Sequence, residues 1–266
     1  MSIEYISKEE LDELLSIFEE NNIRRQLDFI YERVPENKCE RCTDCCFGSA
    51  QIHFGEFLSL YSYVQGLPEE TQKEIAERAV RYELLNPVTL DHKCPFLDGK
   101  DCLVHEVLPL HCRFFGMYPE HEYDDLREKS KKQNTSVAIH YARNHRLLLS
   151  EEVMTYDVDQ CSNNVDEKGN KKLLTQRERD LYYNMFVSLH NRYLPDDILT
   201  ADEDELNNFT FLYLVTYFPS EELEETRVEI AKEFLEKGTM KKLDALLKKH
   251  NFDFGMAKVR SIDNAS

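Results

Sequence analysis

Residues 39–46 read Cys39-Glu40-Arg41-Cys42-Thr43-Asp44-Cys45-Cys46, and this stretch holds half of the eight cysteines in the 266-residue chain. Two-residue gaps allow successive thiolates to turn back onto one centre, and soft thiolate ligands select zinc or iron–sulfur chemistry. The stretch therefore predicts a metal-binding loop around which the neighbouring helices pack.

The other four cysteines also lie in the first two thirds of the chain, so that all eight fall between residues 39 and 161. One tetrathiolate site needs four cysteines, and eight can fill two sites. The C-x2-C-x2-C run suits three corners of a cubane [4Fe–4S] cluster, and Cys94-Pro95 has the form of the remote ferredoxin ligand. Zinc is the alternative, because it favours cysteine pairs separated by a hairpin. The predicted ligands are Cys39, Cys42, Cys45, Cys46, Cys94, Cys102, Cys112 and Cys161, although the isolated Cys161 fits a buried free thiol equally well.

Three further features near the cysteines bear on the site. Neighbouring Cys45 and Cys46 point apart in extended backbone, so we expect one to join the first three ligands. The other then serves a second centre or is a free thiol. Arg113 follows Cys112, and its guanidinium is predicted to lie beside an anionic cluster and tune its potential, or else to form a surface ion pair. The nearby histidines are expected to be supporting or surface groups, with His105 the best ligand candidate; they are His53, His92, His105 and His111.

These motifs together resemble the CxxCxxCC family of zinc- or iron-chelating proteins, also called YkgJ-type cysteine-cluster proteins. The resemblance extends over about residues 37–165. Family members usually show Ile-Tyr and Arg-Pro where this chain has Val104-His105 and Leu108-Pro109, a departure that leaves the cysteines intact. The resemblance implies an iron–sulfur cluster. The flagellin lysine N-methylases carry a similar domain, so it also raises an enzyme that methylates protein lysine with S-adenosylmethionine.

Composition narrows the function classes. The net charge of −18 disfavours binding to nucleic acid or anionic membrane. The N-terminus lacks the pattern of a signal peptide, and no apolar stretch has the length of a membrane span. We therefore expect a cytoplasmic protein whose cysteines bind metal rather than form disulfides. The sequence lacks nucleotide-binding, nucleophile-elbow and H-E-x-x-H motifs, so it predicts a metal without defining a reaction.

Hydrophobic periodicity predicts a mainly α fold, with helices around an irregular cysteine loop and one small hairpin at Asp98-Gly99. Ser7-Lys8-Glu9-Glu10 is a capping box that starts the first helix, and Gly66 ends a helix that begins near His53. Further helices are expected over about 134–149, 220–236 and 239–249. We expect N-terminal helices over 1–36, a metal-binding domain over 37–165 and a helical region over 166–266, although the three can form one unit. The basic stretch 127–146 is interpreted as a solvated helix face; an acidic partner or nucleotide cofactor is the alternative.

The leading hypothesis is a metal-binding protein with an iron–sulfur cluster in an electron-transfer or structural role. The kind of partner that this hypothesis allows is a redox partner or a protein substrate. The methylase-like enzyme and a zinc-stapled interaction protein are the alternatives.

Overall fold

The structure is a computed structural model that describes residues 4–36, 39–86, 88–90, 93–157, 161, 173–195 and 207–255. Helices dominate these ranges, and strands contribute only two short antiparallel ladders. The α-helices are α1 (Lys8–Glu20), α2 (Ile23–Tyr31), α3 (Phe54–Gln65), α4 (Glu69–Leu85), α5 (Leu110–Phe114), α6 (Glu120–His140), α7 (Glu151–Thr155), α8 (Gln176–Tyr193), α9 (Phe209–Leu214), α10 (Ser220–Lys237) and α11 (Lys241–Lys249). The strands are β1 (Gln51–Ile52), β2 (Leu97–Asp98), β3 (Asp101–Cys102) and β4 (Asn207–Asn208). The predicted mainly α class is confirmed.

Local sequence signals set several helix ends. Ser7 Oγ accepts from the Glu10 backbone N–H at 3.1 Å, and the Glu10 carboxylate accepts from the Ser7 N–H at 2.8 Å. This reciprocal capping box satisfies two amides at the start of α1 that have no partner within the helix. Gly66 ends α3 and Gly238, at a φ of 63°, ends α10. These ends agree with the boundaries predicted from the sequence.

The two ladders have different origins. β2 and β3 form the predicted hairpin, with Leu97 opposite Cys102 and Asp98 opposite Asp101, and Gly99 in the turn has a φ of 58°. The second ladder pairs β1 with β4, which follows it by more than 150 residues. The expectation of a single β element was therefore wrong, because a two-residue ladder between distant segments leaves no local pattern.

One buried apolar core runs through the N-terminal and C-terminal helices. Helix α4 packs against α9, α10 and α11, and α8 packs against α2 and α3. Backbone bonds join the same regions, since Ile6 N–H donates to Val215 O at 3.0 Å and Ser220 N–H to Glu4 O at 2.7 Å. The boundary expected between the second and third regions, near 165–172, lies almost entirely outside the described residues. The three-part division stays a prediction.

The structure corrects one predicted helix. The sequence predicted a helix over about 134–149, whereas α6 begins at Glu120 and ends at His140. A π turn follows at Tyr141–His145, and Arg146 ends it with a φ of 59°. In the described ranges, none of the helices combines the length and the hydrophobicity that crossing a bilayer requires.

Candidate metal centre

The first cysteine motif lies in a compact turn rather than an extended loop. Arg41 and Thr43 adopt left-handed backbone conformations with φ values of 56° and 70°, and a 3-10 turn follows at Asp44–Phe47. Left-handed residues change the chain direction sharply between the cysteines of this motif. Arg41 forms an exposed ion pair with Asp101 of β3, so that the turn is also tied to the hairpin.

The hairpin brings a second pair of cysteines to this turn. Cys94 immediately precedes the hairpin and Cys102 ends β3. The Cys94 backbone N–H donates to Cys46 O at 2.9 Å, which joins the two motifs directly. The hairpin is closed by the Leu103 N–H, which donates to Phe96 O at 2.9 Å. Sequence motifs separated by 47 residues therefore meet at a fixed point of the backbone.

Cys112 reaches the same place from α5, which a buried carboxylate holds in position. Glu56 is 1% exposed and accepts from the Leu110 N–H at 2.6 Å, from Tyr31 Oη at 2.8 Å and from the His53 N–H at 3.0 Å. None of the cysteine motifs points to Glu56. Its position three residues after His53, where a capping glutamate belongs, was the available signal.

Four thiols from the three segments form a mutually interacting set, called here the four-thiol core: Cys46, Cys94, Cys102 and Cys112. Burial raises the pKa of Cys112 well above its usual value, and the charges of the other three raise it further. Burial also raises the pKa of Cys94 to about 12, and the charges of Cys102 and Cys46 add to this rise. The pKa of Cys102 is likewise raised by burial and by the charge of Cys46. Each of the four thiols is therefore close enough to the other three for their charges to interact. Four thiols whose ionisation is mutually unfavourable are a donor set that a bound cation would stabilise.

Three of the eight cysteines share a backbone feature that favours the thiolate. In each of them the sulfur accepts a hydrogen bond from the backbone N–H two residues further along the chain, and this bond lowers the thiol pKa against the effect of burial. Hydrogen bonds of this kind to sulfur also help to set the reduction potential of iron–sulfur clusters. The pairs are Cys42 with Asp44, Cys94 with Phe96, and Cys102 with Val104.

The adjacent pair Cys45 and Cys46 differs from the expectation. Extended backbone would separate the two side chains, but the 3-10 turn brings them into contact. The hydrogen bond between the thiols raises the pKa of Cys45 and, with help from Lys93, lowers that of Cys46 to about 7. Within the pair, Cys45 therefore donates the hydrogen bond and Cys46 accepts it.

The remaining cysteines lie around the four-thiol core. Cys39 is exposed and acts electrostatically on Cys45 and Cys102. A hydrogen bond from the Asp44 N–H lowers the pKa of Cys42, but burial, the Asp44 carboxylate and Cys161 raise it, and the net shift is upward. Cys161 is thus placed beside Cys42. All eight cysteines are free thiols, and their assignment as ligands stays a prediction.

Arg113 lies beside Tyr31 and Glu56, the residues that help to hold α5 next to the cysteines. Its guanidinium lies 4.2 Å from the centroid of the Tyr31 ring, and its Nε donates to Leu108 O at 2.7 Å. Burial raises the pKa of Glu56, and the positive charge of Arg113 opposes part of that rise. The guanidinium therefore acts electrostatically on the carboxyl group that holds α5, and direct contact of Arg113 with a cofactor stays a prediction.

The four histidines have separate surroundings. His53 stacks on Phe186 with a centroid distance of 4.7 Å, and burial lowers its pKa to about 4. Burial also lowers the pKa of His111. His105 is exposed, and His92 lies outside the described residues. Among the described residues, no histidine belongs to a group of three or more ligand atoms within 4.8 Å of one another that includes these cysteines.

Together, the fold and the four-thiol core define a mainly helical protein with a cysteine-rich metal-binding segment. Residues 38–141, less than half of the chain, match the CxxCxxCC family model, described as a "Putative zinc- or iron-chelating domain". The match confirms the resemblance inferred from the motifs and supports a metal-binding role. No curated protein and no solved structure matches the chain.

Proposed function

We propose that this is a metal-binding protein whose four-thiol core holds an iron–sulfur cluster of the [4Fe–4S] type. The observation that carries the proposal is the mutual electrostatic reach of Cys46, Cys94, Cys102 and Cys112, which come from three separate segments. Four thiolates complete the ligand set of a cubane cluster, and such a cluster supplies one-electron chemistry. The free thiols of all eight cysteines support a reducing location such as the cytoplasm.

Sulfur spacing supports the cluster over a single zinc ion. Tetrahedral zinc with Zn–S bonds of about 2.3 Å draws its four sulfurs to within about 3.8 Å of one another. Within the described ranges, no three cysteine sulfurs lie within 4.8 Å of one another. A larger inorganic core suits such spacing. Zinc remains the second candidate because the family description names both metals.

The solvent exposure of the cysteines bears on the role that the proposed cluster would have. Cys94, Cys102 and Cys112 each keep some solvent exposure, although the surrounding atoms bury the thiols of Cys94 and Cys112 enough to raise their pKa. An electron-transfer role with a protein redox partner therefore fits, and a purely structural role is the alternative. A reversible reduction potential within the physiological range supports electron transfer, and a cluster that resists reduction supports the structural role.

Anaerobic purification followed by iron and acid-labile sulfide analysis tests the cluster. We expect a brown protein with iron and sulfide in equal amounts and an EPR signal after reduction. Changing Cys94→Ser, Cys102→Ser or Cys112→Ser should remove most of the iron, whereas Cys161→Ser should retain it. A colourless protein with stoichiometric zinc would overturn the cluster and leave the metal-binding role.

A further inference from the structure

A second group of metal-binding side chains lies where α6 ends and α10 passes beside it. One candidate ligand atom from each of His140, His145 and Glu224 lies within 4.8 Å of the other two. His140 is exposed and the other two are half-buried, so an ion from solvent can reach all three. Two imidazoles and one carboxylate are a donor set that zinc and iron(II) both accept.

The π turn brings the two histidines together. In a regular α-helix, residues three or four apart share a face, whereas residues five apart diverge by about 140°. The wider turn at Tyr141–His145 corrects this offset, and the ring centroids of His140 and His145 lie 5.4 Å apart. Single π turns of this kind occur frequently at functional sites. The irregularity of the helix is thus what creates the histidine pair.

The same turn supplies a group that can orient one imidazole. Asn144 Nδ2 lies 3.0 Å from His140 Nδ1. The two ends of an amide are assigned by the hydrogen-bond network, so the amide can turn its oxygen toward the ring. It then accepts the Nδ1 proton and leaves Nε2 as the ligand atom. Metal-bound histidines commonly have such a partner on the second nitrogen.

Glu224 is held by a charged network that connects it to the core. Its Oε2 accepts from Arg227 Nη1 at 2.5 Å, and Arg227 also pairs with the buried Glu83. Thr210 Oγ1 donates to Glu83 at 2.6 Å. Two carboxylates share one guanidinium here, which leaves one net negative charge. Among the described residues no hydrogen bond reaches the second oxygen of Glu224, so this oxygen is available to a cation.

A cavity adjoins this network. It has a volume of about 430 Å³ and is lined in part by Glu224, Arg227 and Tyr141. The Tyr141 side chain is buried, and its hydroxyl lies near the Arg227 guanidinium without a well-formed hydrogen bond. Three protein ligands leave a coordination position that a water or a small ligand can occupy.

We propose that His140, His145 and Glu224 form a second metal site, separate from the four-thiol core, for a divalent transition-metal ion such as Zn²⁺ or Fe²⁺. A tetrahedral ion with bonds of about 2.0–2.2 Å needs ligand atoms about 3.3–3.6 Å apart, so modest side-chain rotation closes the site. His145 and Glu224 lie beyond the segment that matches the family model, which ends at residue 141. The site therefore belongs to this chain rather than to the matched domain.

Calorimetric titration of the anaerobic holoprotein with Zn²⁺ tests the site, because the cysteine centre is already filled in that form. We expect one further equivalent of Zn²⁺ to bind. His145→Ala and Glu224→Gln should each weaken this binding at least about tenfold. His121→Ala is the matched control, since His121 lies on the same helix with an 80% exposed side chain, and it should change nothing.

The role of Asn144 is tested in the same titration. Asn144→Ala should weaken Zn²⁺ binding by about tenfold, whereas Asn144→Asp keeps an oxygen acceptor for the imidazole and should restore it. Iron content and far-UV circular dichroism confirm that each variant retains its fold and cysteine centre. Glu224→Gln provides a second variant, which can still hydrogen-bond to Arg227, if His145→Ala does not fold.

Cobalt distinguishes this site from the cysteines. Co²⁺ bound by nitrogen and oxygen should show d–d bands without a sulfur-to-cobalt charge-transfer band. A charge-transfer band on the additional ion would overturn the proposal. So would the absence of an additional ion, or equal Zn²⁺ affinity in the wild type and His145→Ala.

Discussion

Cys46 and Cys45 are neighbours in one 3-10 turn, yet their thiols occupy different electrostatic positions. Cys46 accepts a hydrogen bond from Cys45, lies near Lys93 and acts on the three other thiols of the core. We therefore predict that Cys46→Ser loses most of the bound iron, whereas Cys45→Ser keeps it because a serine hydroxyl can still donate to Cys46. Iron and sulfide per chain measure the difference. Equal loss in both variants would contradict the assignment.

His53 makes stability depend on pH in a defined direction. Its pKa is lowered to about 4 by burial, while an unfolded histidine has a pKa of about 6.5. The unfolded chain therefore binds more protons between these values, and the free energy of unfolding falls as the pH falls from about 6.5 toward 4. His53→Phe retains an aromatic ring against Phe186 and removes the proton. The fall in stability between pH 7 and pH 5 should shrink by about 2 kcal/mol.

Urea unfolding at both pH values measures this effect. His121→Phe is the control, because it removes an exposed histidine and should leave the fall unchanged. A fall of the same size in His53→Phe and the wild type would show that His53 is not the titrating group.

At the scale of elements, Glu56 joins three helices that meet beside the cysteines. Tyr31 from α2, the His53 amide before α3 and the Leu110 amide of α5 all donate to one carboxylate. A glutamine has only one oxygen for these donors, and its NH2 group would face one of them. We predict that Glu56→Gln lowers the free energy of unfolding by about 2–3 kcal/mol.

The same variant should affect the metal, because Cys112 lies two residues after Leu110 in α5. We expect lower iron retention in Glu56→Gln when iron is measured after gel filtration. Glu70→Gln, at an exposed position in the first turn of α4, should change stability by less than about 0.5 kcal/mol and retain the iron. Iron retention equal to that of the wild type would mean that Glu56 supports the helices alone.

The elements that sequence reasoning predicted well are those whose signals are local. The capping box at Ser7–Glu10 and the Asp98-Gly99 turn each specify their own backbone. The β1–β4 ladder and the π turn do not, because the first depends on tertiary packing and the second interrupts a regular helical pattern. The histidine pair was missed for the same reason, since a spacing of five is not a helical face.

For the candidate metal site, too, the sequence predicted some features and not others. The cysteines and their metal chemistry followed from residue type and spacing. Their grouping did not, because the 3-10 turn reverses the orientation that extended backbone would give to Cys45 and Cys46. The sequence joined the first motif with Cys94, Cys102 and Cys112 in one split site, and the structure adds that Cys46 is the member of that motif in electrostatic reach of all three. Tertiary contacts such as the Cys94–Cys46 backbone bond decide this grouping.

At the scale of the whole molecule, the helical core and the cysteine centre have different sources of stability. Aromatic side chains join α3 and α9, as shown by the Phe57–Phe209 and Tyr61–Tyr213 centroid distances of 5.7 Å and 6.5 Å. The cysteine segments have little regular structure and depend on a few backbone bonds. Where metal ligands come from separate segments, the free energy of metal binding adds to the free energy of folding. The stability of the cysteine segments should therefore depend on the metal more than that of the helical core.

Hydrogen exchange with and without metal measures this difference. After chelation we expect amides in residues 39–52 and 93–115 to lose protection, while those of α3, α4 and α9 keep most of theirs, since regions of low packing open independently of a core. The melting temperature should fall, and adding iron and sulfide back under anaerobic conditions should restore both properties. Simultaneous loss of protection in α3, α4 and α9 would show that the metal centre is required for the entire fold. Unchanged exchange in residues 39–52 would show instead that the cysteine turn is stable without metal.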